Sequence, residues 1–510
     1  MEITSDNGFS FTLKTRQHNE YIYSKGSLLN SEVFIEGENS TLSVSLNTPH
    51  INRGNLWVRD AIFFSRQCTT FIRQLKTNAP IVLSNLPLDL SISFALSAWA
   101  LGRAVAFIDP DITGIQQKTI MNKLNPACWI STEPSKSTFP NDVLYLNLAD
   151  DEDSAVLEDI ISENSHSSVD QSAYQWNPTE GAVILFTSGS TGTPKGVCHS
   201  LQNLLFSALL FQEQFQIADD DKILNIAPLH TMSGLRCSVF LPLICQCDTN
   251  INPISGDLKS VVAQLTDQAY TVFISGPKLI ETIGAIAKRI DGLKSLRMIL
   301  TTGAPLATEI KISLWQQINI PVYNYYGLTE TCGLVIAERP DSYDPLNDSL
   351  GFPCKDITAA VVDSRDHELV CGEGMLRIYS PGIFLGYWGE TLTVRPFFDT
   401  GDLVRIAADR QIYFLGRSDQ SFKSSSTMWL HPHAIEQWLS NASDVEDFAL
   451  KTKNLQIVCF VVIKDHSLTS ISTRLLEDLG NVYKEIDWKV VNEIERTSLS
   501  KVNWNLLENK

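Results

Sequence analysis

From about residue 80 to about residue 340, short apolar, β-prone runs alternate with longer segments whose apolar residues recur at helical spacing. The runs "KILNIAPL" (222–229), "YTVFISGP" (270–277), "RMILTTG" (297–303) and "IPVYNYYG" (320–327) are of the first kind. "APLATEIKISLWQQIN" (304–319), with leucines, isoleucines and a tryptophan on one helical stripe, is of the second. Strands separated by helices bury both faces as parallel sheets with helices laid over them. In such folds the carboxyl ends of the strands form the ligand-binding edge. After residue 350 the pattern breaks into short β-rich pieces punctuated by Gly and Pro, and beyond Asp419 a short stretch mixes helix and strand. Residues 131–180, rich in Ser, Asp, Glu and Asn, read as a surface excursion. The expected fold class is α/β: a large N-terminal domain of parallel-rich sheets covered by helices plus a small β-structure, then a small α+β C-terminal domain.

Composition narrows the partners. The chain has 510 residues, enough for about two to four cores at usual domain sizes. Its 40 basic against 58 acidic side chains give a formal charge of -18, which repels nucleic acid and anionic membranes alike. The start "MEITSDNG" lacks a basic, apolar leader, and no apolar run approaches a membrane-spanning length. A cytoplasmic enzyme of small-molecule chemistry, with no nucleic acid partner and no membrane insertion, is expected. Ten cysteines are scattered singly, the closest pair being Cys245 and Cys247, so they read as small buried hydrophobes rather than metal or redox motifs. His431-x-His433 has no further ligands nearby and is read as non-metal.

One loop stands out. "LFTSGSTGTPKGV" (185–197) follows the apolar run Ala182 to Phe186, read as a buried strand. Gly189, Gly192 and Gly196 let backbone N–H groups turn toward an anion, the hydroxyls of Thr187, Ser188, Ser190 and Thr191 add donors, and Lys195 supplies positive charge. A Walker loop needs Gly-Lys-Ser/Thr, whereas Lys195 here lies between Pro194 and Gly196. A merely solvated Ser/Gly loop would not need the Pro-Lys-Gly ending.

Thr187 to Gly196 resembles, without a gap, the T-S-G-[ST]-T-G-x-P-K-G signature of the adenylate-forming enzymes, a superfamily that includes acyl-CoA synthetases, peptide-synthetase adenylation domains and beetle luciferase. Further segments match in the family's order: "LSAWALGRAVAFIDP" ending at Asp109-Pro110, "TTGAPL" (301–306), "NYYGLTE" (324–330), "TGDLVR" (400–405), "YFLGRSDQSFK" (413–423) and "ERTSLSK" (495–501). The resemblance implies a large AMP-binding domain over residues 1–418 and a small mobile domain over 419–510, with Asp419 as hinge. It implies that Gly303, Ala304 and Pro305 lie against adenine and that Asn324, Tyr325, Tyr326 and Gly327 belong to the nucleotide site, Tyr326 stacking on the base and Asn324 bonding its edge. Thr329 would meet phosphate and Glu330 would hold Mg²⁺, a hard carboxylate for a hard cation. Asp402 would take both ribose hydroxyls, with Arg417 as a second ribose contact and Lys501 entering the adenylation site.

The implied reaction begins when a carboxylate attacks the α-phosphorus of ATP, expels pyrophosphate and leaves an acyl-adenylate. The nucleophile is already ionised at neutral pH, so the need is for positive charge around the transition state rather than for a base. Lys501, Mg²⁺ on Glu330 and the loop around Lys195 would supply it, with Thr329 as a neutral catalytic contact to phosphate. A thiol, of coenzyme A in some relatives and of a carrier protein's phosphopantetheine arm in others, would then take the acyl group. Here the chain departs from the pattern: Ser424, Ser425 and Ser426 stand where a close-approach glycine is usual, Ser500 replaces the glycine before the terminal lysine, and Glu495 replaces a proline. Side chains in that channel obstruct a thiol. The acceptor therefore stays open between CoA and a carrier protein loaded by a stand-alone adenylation enzyme, and a nucleotide-binding pseudoenzyme is the non-catalytic alternative.

"PLHTMSGL" (228–235) resembles the family's acyl-pocket segment, which makes His230, Thr231, Met232 and Ser233 candidate pocket residues. No acidic residue lies between Ile223 and Cys245 to pair with a substrate ammonium. An acid without an α-ammonium is expected, and Tyr325, standing where many relatives have glycine, narrows the pocket toward a small or flat acid.

Overall fold

The computed structural model describes residues 68–507 apart from 70, 141–142, 149–174, 177–179, 188–193, 246, 251–256, 305, 364–365, 419–421, 424–428, 431, 454–455, 465–467, 480–482, 485, 497–501 and 503. Before residue 68 it describes the backbone of five strands between residues 10 and 45.

A seven-stranded sheet runs in the order Gly386–Tyr387, Lys195–Ser200, Gly181–Thr187, Val105–Ile108, Ile81–Ser84, Cys128–Ser131, Leu144–Asn147. The strands from Gly181–Thr187 to Leu144–Asn147 pair in parallel, whereas Lys195–Ser200 runs antiparallel to both its neighbours. Ile81–Ser84, Val105–Ile108 and Cys128–Ser131 are buried at every position, which is why they read as unbroken apolar runs rather than alternating ones. Leu144–Asn147 adds a strand inside the segment read as a surface excursion; the apolar "VLYLNL" is what places it in the sheet.

The second sheet is wholly parallel, in the order Asp248–Thr249, Lys222–Asn225, Val272–Ser275, Met298–Thr301, Val322–Asn324. The four runs quoted above as strands supply four of its members. Its outer face is covered by Leu258–Asp267, Pro277–Ile286 and Thr308–Ile318, whose Val261, Leu265, Ile280, Ile283 and Leu314 close over Leu224, Phe273 and Ile299. Leu201–Phe215 packs Leu204, Leu205, Ala208, Phe211 and Phe215 into the main core. It starts at a capping box in which Ser200 and Asn203 satisfy each other's backbone N–H groups, so the end of a strand becomes the start of a helix with no loop between.

The β-rich region after residue 350 holds a five-stranded antiparallel sheet ordered Glu368–Leu369, Thr358–Val362, Gly372–Tyr379, Phe397–Ile406, Ile412–Arg417. Further on, Val445–Lys453, Gln456–Ile463 and Asp487–Val490 form a separate three-stranded sheet. Helices Pro432–Ser440 and Leu468–Leu479 bury Ile435, Leu439, Ile471 and Leu475 against it. The α/β class expected from the sequence stands. Asp419, the expected boundary, lies outside the described residues.

Candidate active site

The glycine-rich segment joins two paired strands. Gly181–Thr187 and Lys195–Ser200 pair in antiparallel register, with Thr187 opposite Lys195 as the closing pair. Ser188, Gly189, Ser190, Thr191 and Gly192 lie outside the described residues. At the loop's downstream end, the Pro194 carbonyl accepts a hydrogen bond of 2.7 Å from Lys123 Nζ. Gly196 departs from the anion-cradle reading, because it sits within the strand. A Cβ there would lie 3.0 Å from Ile184 Cγ2 and 3.2 Å from Phe186 Cζ, so this glycine serves close packing.

Lys195 and Glu330 meet at Tyr387. The strand Gly386–Tyr387 forms the edge of the first sheet, with Val197 opposite Tyr387. From there the Tyr387 hydroxyl donates to Glu330 Oε1 at 3.0 Å, and Lys195 Nζ lies 5.0 Å from the ring centroid. Burial, reinforced by the Glu330 carboxylate, pushes the Tyr387 phenol well above its ordinary range, so it stays a donor. Among the described residues no group of three His, Cys, Asp or Glu side chains could hold a metal. Glu330 alone, completed by polyphosphate oxygens and water, is the donor set that suits Mg²⁺.

A second cluster forms around Asp402. Asp402 and Arg417 are opposite each other in neighbouring strands, and Arg417 Nη1 donates to Asp402 Oδ1 at 2.9 Å. Tyr326 donates its hydroxyl to Asp402 Oδ2 at 2.5 Å. The Asp402 side chain is 4% exposed against 37% for Arg417, so the carboxylate is held by protein donors from within. Nearby, Thr301 and Asn324 are register partners at the carboxyl ends of two parallel strands. Asn324 Nδ2 approaches the Ala304 carbonyl at 3.5 Å, next to Gly303 with φ +90° in the left-handed region. Pro305 lies outside the described residues.

Thr329 is pinned by a residue that sequence reasoning passed over. His199 is fully buried and its Nε2 lies 2.8 Å from the Thr329 carbonyl, which fixes the proton on Nε2. Burial drives the His199 pKa down to about 4, and the bond to Thr329 opposes this only in part.

The acyl-pocket segment divides its labour. Thr231 caps Met232–Leu235, accepting from Gly234 N at 3.1 Å and donating to the Pro228 carbonyl at 2.8 Å, so its hydroxyl is used locally. His230 Nε2 lies 3.7 Å from Asp109 Oδ2, which joins two segments that were read separately. Met232 is buried, its sulfur 3.7 Å from Cys332 Sγ. Ser233 Oγ lies 3.3 Å from the Tyr325 hydroxyl. Tyr325 itself turns away from Asn324 and Tyr326 into the core, packing on Phe211 and Phe215 and accepting from Arg236 Nη2 at 2.8 Å. In an extended segment alternate side chains take opposite sides, so Asn324 and Tyr326 share one face and Tyr325 takes the other.

Lys501, Asp419 and the serines at 424–426 and 500 lie outside the described residues. Arg496, just upstream, pairs with Asp447 at 2.6 Å and forms a backbone bridge with Val502.

The family model described as AMP-binding enzyme matches residues 89–388, more than half of the chain. The chain belongs to this family. As an AMP-binding enzyme it is similar to the 2-succinylbenzoate–CoA ligase of Enterococcus faecalis, 26% identical over 363 residues that cover 70% of this chain and 71% of the relative. It is also similar to the anthranilate–CoA ligase of Pseudomonas aeruginosa, 27% identical over 278 residues and 53% of each chain. In fold it is similar to an anthranilate CoA ligase solved in complex with anthranoyl-AMP, with a TM-score of 0.75 at 18% identity, covering 89% of this chain and 91% of the other. The reading of the sequence as an adenylate-forming ligase of α/β fold stands with these findings. Among the described residues no helix is long and apolar enough to cross a membrane.

Tyr387, His199 and Arg236 are the site residues that sequence reasoning missed. The pattern around Tyr387, "GIFLGYWGE", says only strand and turn; nothing in its spacing ties it to Glu330. A signal for Arg236 was present: a cation in an otherwise uncharged pocket segment, noticed only for its lack of acids.

Proposed function

We propose that this AMP-binding enzyme joins a small, flat carboxylic acid to AMP, releasing pyrophosphate, and then passes the acyl group to the thiol of coenzyme A. The observation that carries the reading is the reach of one short segment. Residues 324–330 touch the Asp402–Arg417 pair through Tyr326 and the Lys195 edge through Glu330 and Tyr387, so one stretch addresses both ends of a nucleoside triphosphate.

In this reading Asp402 and Arg417 grip the ribose, the Tyr326 ring meets the base, and Thr187 to Lys195 wraps the polyphosphate. The acid's carboxylate oxygen attacks the α-phosphorus, and the bond to the bridging oxygen breaks toward pyrophosphate. Lys195 and Lys501 offset the charge that builds on the phosphoryl oxygens. Glu330 would hold Mg²⁺, which supplies further charge neutralisation when bound with the nucleotide. Residues 419–510 would act as a separate small domain that turns at Asp419 to admit the thiol. Two relatives are named for acids built on a benzene ring, which supports a flat substrate.

The test is a panel of carboxylic acids assayed for acid-dependent pyrophosphate release, with hits repeated in the presence of CoA and, separately, of a phosphopantetheine-loaded carrier protein. Release stimulated by a flat acid, with AMP and a CoA thioester as products, is expected. Release without thioester on CoA but with transfer to the carrier would replace CoA as the acceptor. No release with any acid would overturn the reading.

A further inference from the structure

Arg236 is 1% exposed and stands at the start of the turn Arg236–Phe240, directly after the pocket segment. Its Nη2 donates to the Tyr325 hydroxyl at 2.8 Å. Its Nε and Nη1 are buried and meet no oxygen or nitrogen acceptor among the described residues, the Cys237 thiol being the further polar contact of the guanidinium. The polar groups around the guanidinium are neutral, the phenol of Tyr325 and the thiols of Cys237 and Cys332. Two aromatic rings face it, Phe211 at 4.4 Å and Tyr325 at 5.4 Å from the guanidinium carbon. No carboxylate pairs with it among the described residues.

Such an arrangement is expensive in the empty enzyme. Aromatic faces return part of the lost hydration of a guanidinium. They do not satisfy its N–H groups, and a buried ion without a counter-ion is among the costliest features a core can carry. Two other cations among the described residues are buried, and Arg103 donates to the Asn78 amide oxygen at 3.3 Å. Lys311, equally sequestered, is paired with Glu338 at 2.6 Å. Arg236 differs from it in position as well as in pairing. It lies one turn after Met232 and Ser233, and Tyr325 bridges Ser233 to it. Gly333 gives its volume to the guanidinium, since a Cβ on that residue would lie 2.2 Å from Nη1.

We propose that Arg236 is the recognition site for a second carboxylate on the substrate, so that the enzyme selects dicarboxylic acids, one carboxylate facing the α-phosphorus and the other pairing with the guanidinium. The proposal rests on the adenylation reading above and narrows its substrate class. It also gives a physical reason for excluding α-ammonium acids, whose positive charge would face a buried cation.

The test compares kcat/KM for pyrophosphate release with benzoate and anthranilate against malonate, succinate and 2-succinylbenzoate, using the full chain and its Arg236→Gln and Arg236→Lys variants. Thermal shift with each acid is measured alongside, in the presence of a non-hydrolysable ATP analogue. The expected result is a preference for a dicarboxylate of about 100-fold or more, lost in Arg236→Gln chiefly through KM and partly restored in Arg236→Lys. The melting temperature of Arg236→Gln should equal or exceed that of the wild type, and the diacid should raise it only in the wild type. Equal or better use of the monocarboxylates, with a preference unchanged by Arg236→Gln, would overturn the proposal. If no acid releases pyrophosphate, the adenylation reading fails, and a diacid thermal shift that depends on Arg236 still decides the role of the guanidinium. Should Arg236→Gln fail to fold, Arg236→Lys carries the comparison.

Discussion

Tyr387 holds Glu330 through a 3.0 Å hydrogen bond, and it does so from a strand 57 residues further along the chain. The same ring underlies the ammonium of Lys195, so one phenol sets the spacing between the loop's charge and the carboxylate proposed for Mg²⁺. Tyr387→Phe keeps the ring and removes the donor. It should lower pyrophosphate release by roughly 10- to 100-fold, the usual effect of losing a partner behind a metal ligand, and raise the Mg²⁺ concentration needed for half-maximal rate. A Mg²⁺ titration of the variant checks this; an unchanged curve would mean that Glu330 needs no such support.

If Lys501 acts as proposed, Lys501→Ala should reduce acid-dependent pyrophosphate release by about 10²–10³, the usual effect of removing one well-placed charge from a transition state, while the melting temperature stays at the wild-type value. Single-turnover release with saturating ATP separates this from a binding defect.

Asp402→Asn removes the negative charge shared by Arg417 and Tyr326 and, in the proposed reading, weakens two charge-assisted bonds to the ribose. Bonds of that kind contribute about 1.5–3 kcal/mol, so the apparent KM for ATP should rise by at least tenfold. Competition by AMP measured by calorimetry would show the same loss if the ribose is where the carboxylate acts.

His199 makes stability depend on pH. Its folded pKa is about 4, against the ordinary value of 6.5 for an exposed imidazole, so below pH 6.5 the unfolded chain takes up a proton that the folded chain refuses. Stability contributed by the neutral, buried imidazole is therefore full above about pH 6.5 and falls as pH drops toward 4, by about 3 kcal/mol in total. Urea unfolding at pH 7, 5.5 and 4.5 should show this slope in the wild type and a shallower one in His199→Gln.

Gly234→Ala should destabilise the pocket segment. The added Cβ would lie 2.0 Å from the Pro228 carbonyl oxygen and 2.7 Å from that of Ala227, both backbone atoms, so the loop itself has to move. A loss of about 1–3 kcal/mol is expected, with a KM for the acid that rises more than that for ATP.

The sheets were legible because parallel strands buried on both faces leave unbroken apolar words such as "TVFISG". The family was legible for a different reason: its signature sets particular residue types at short, fixed spacings along the chain. What escaped were contacts between distant segments. Tyr387 reaches Glu330 only because a two-residue strand docks beside Lys195–Ser200, and His230 reaches Asp109 only because the strand ends of two sheets converge. Likewise the hairpin that carries the glycine-rich loop was hidden, since "KGVCHS" has none of the markers of an edge and its antiparallel direction is a property of the pairing alone.

The pairing of Thr187 with Lys195 couples phosphate chemistry to strand alignment. Side chains along a strand alternate faces, so a slip of a single residue between the two arms would swing the ammonium to the far side of the sheet, away from Tyr387. Changes of length inside the tip leave that alignment alone, whereas an insertion in either arm would disarm the enzyme even if every signature residue were retained.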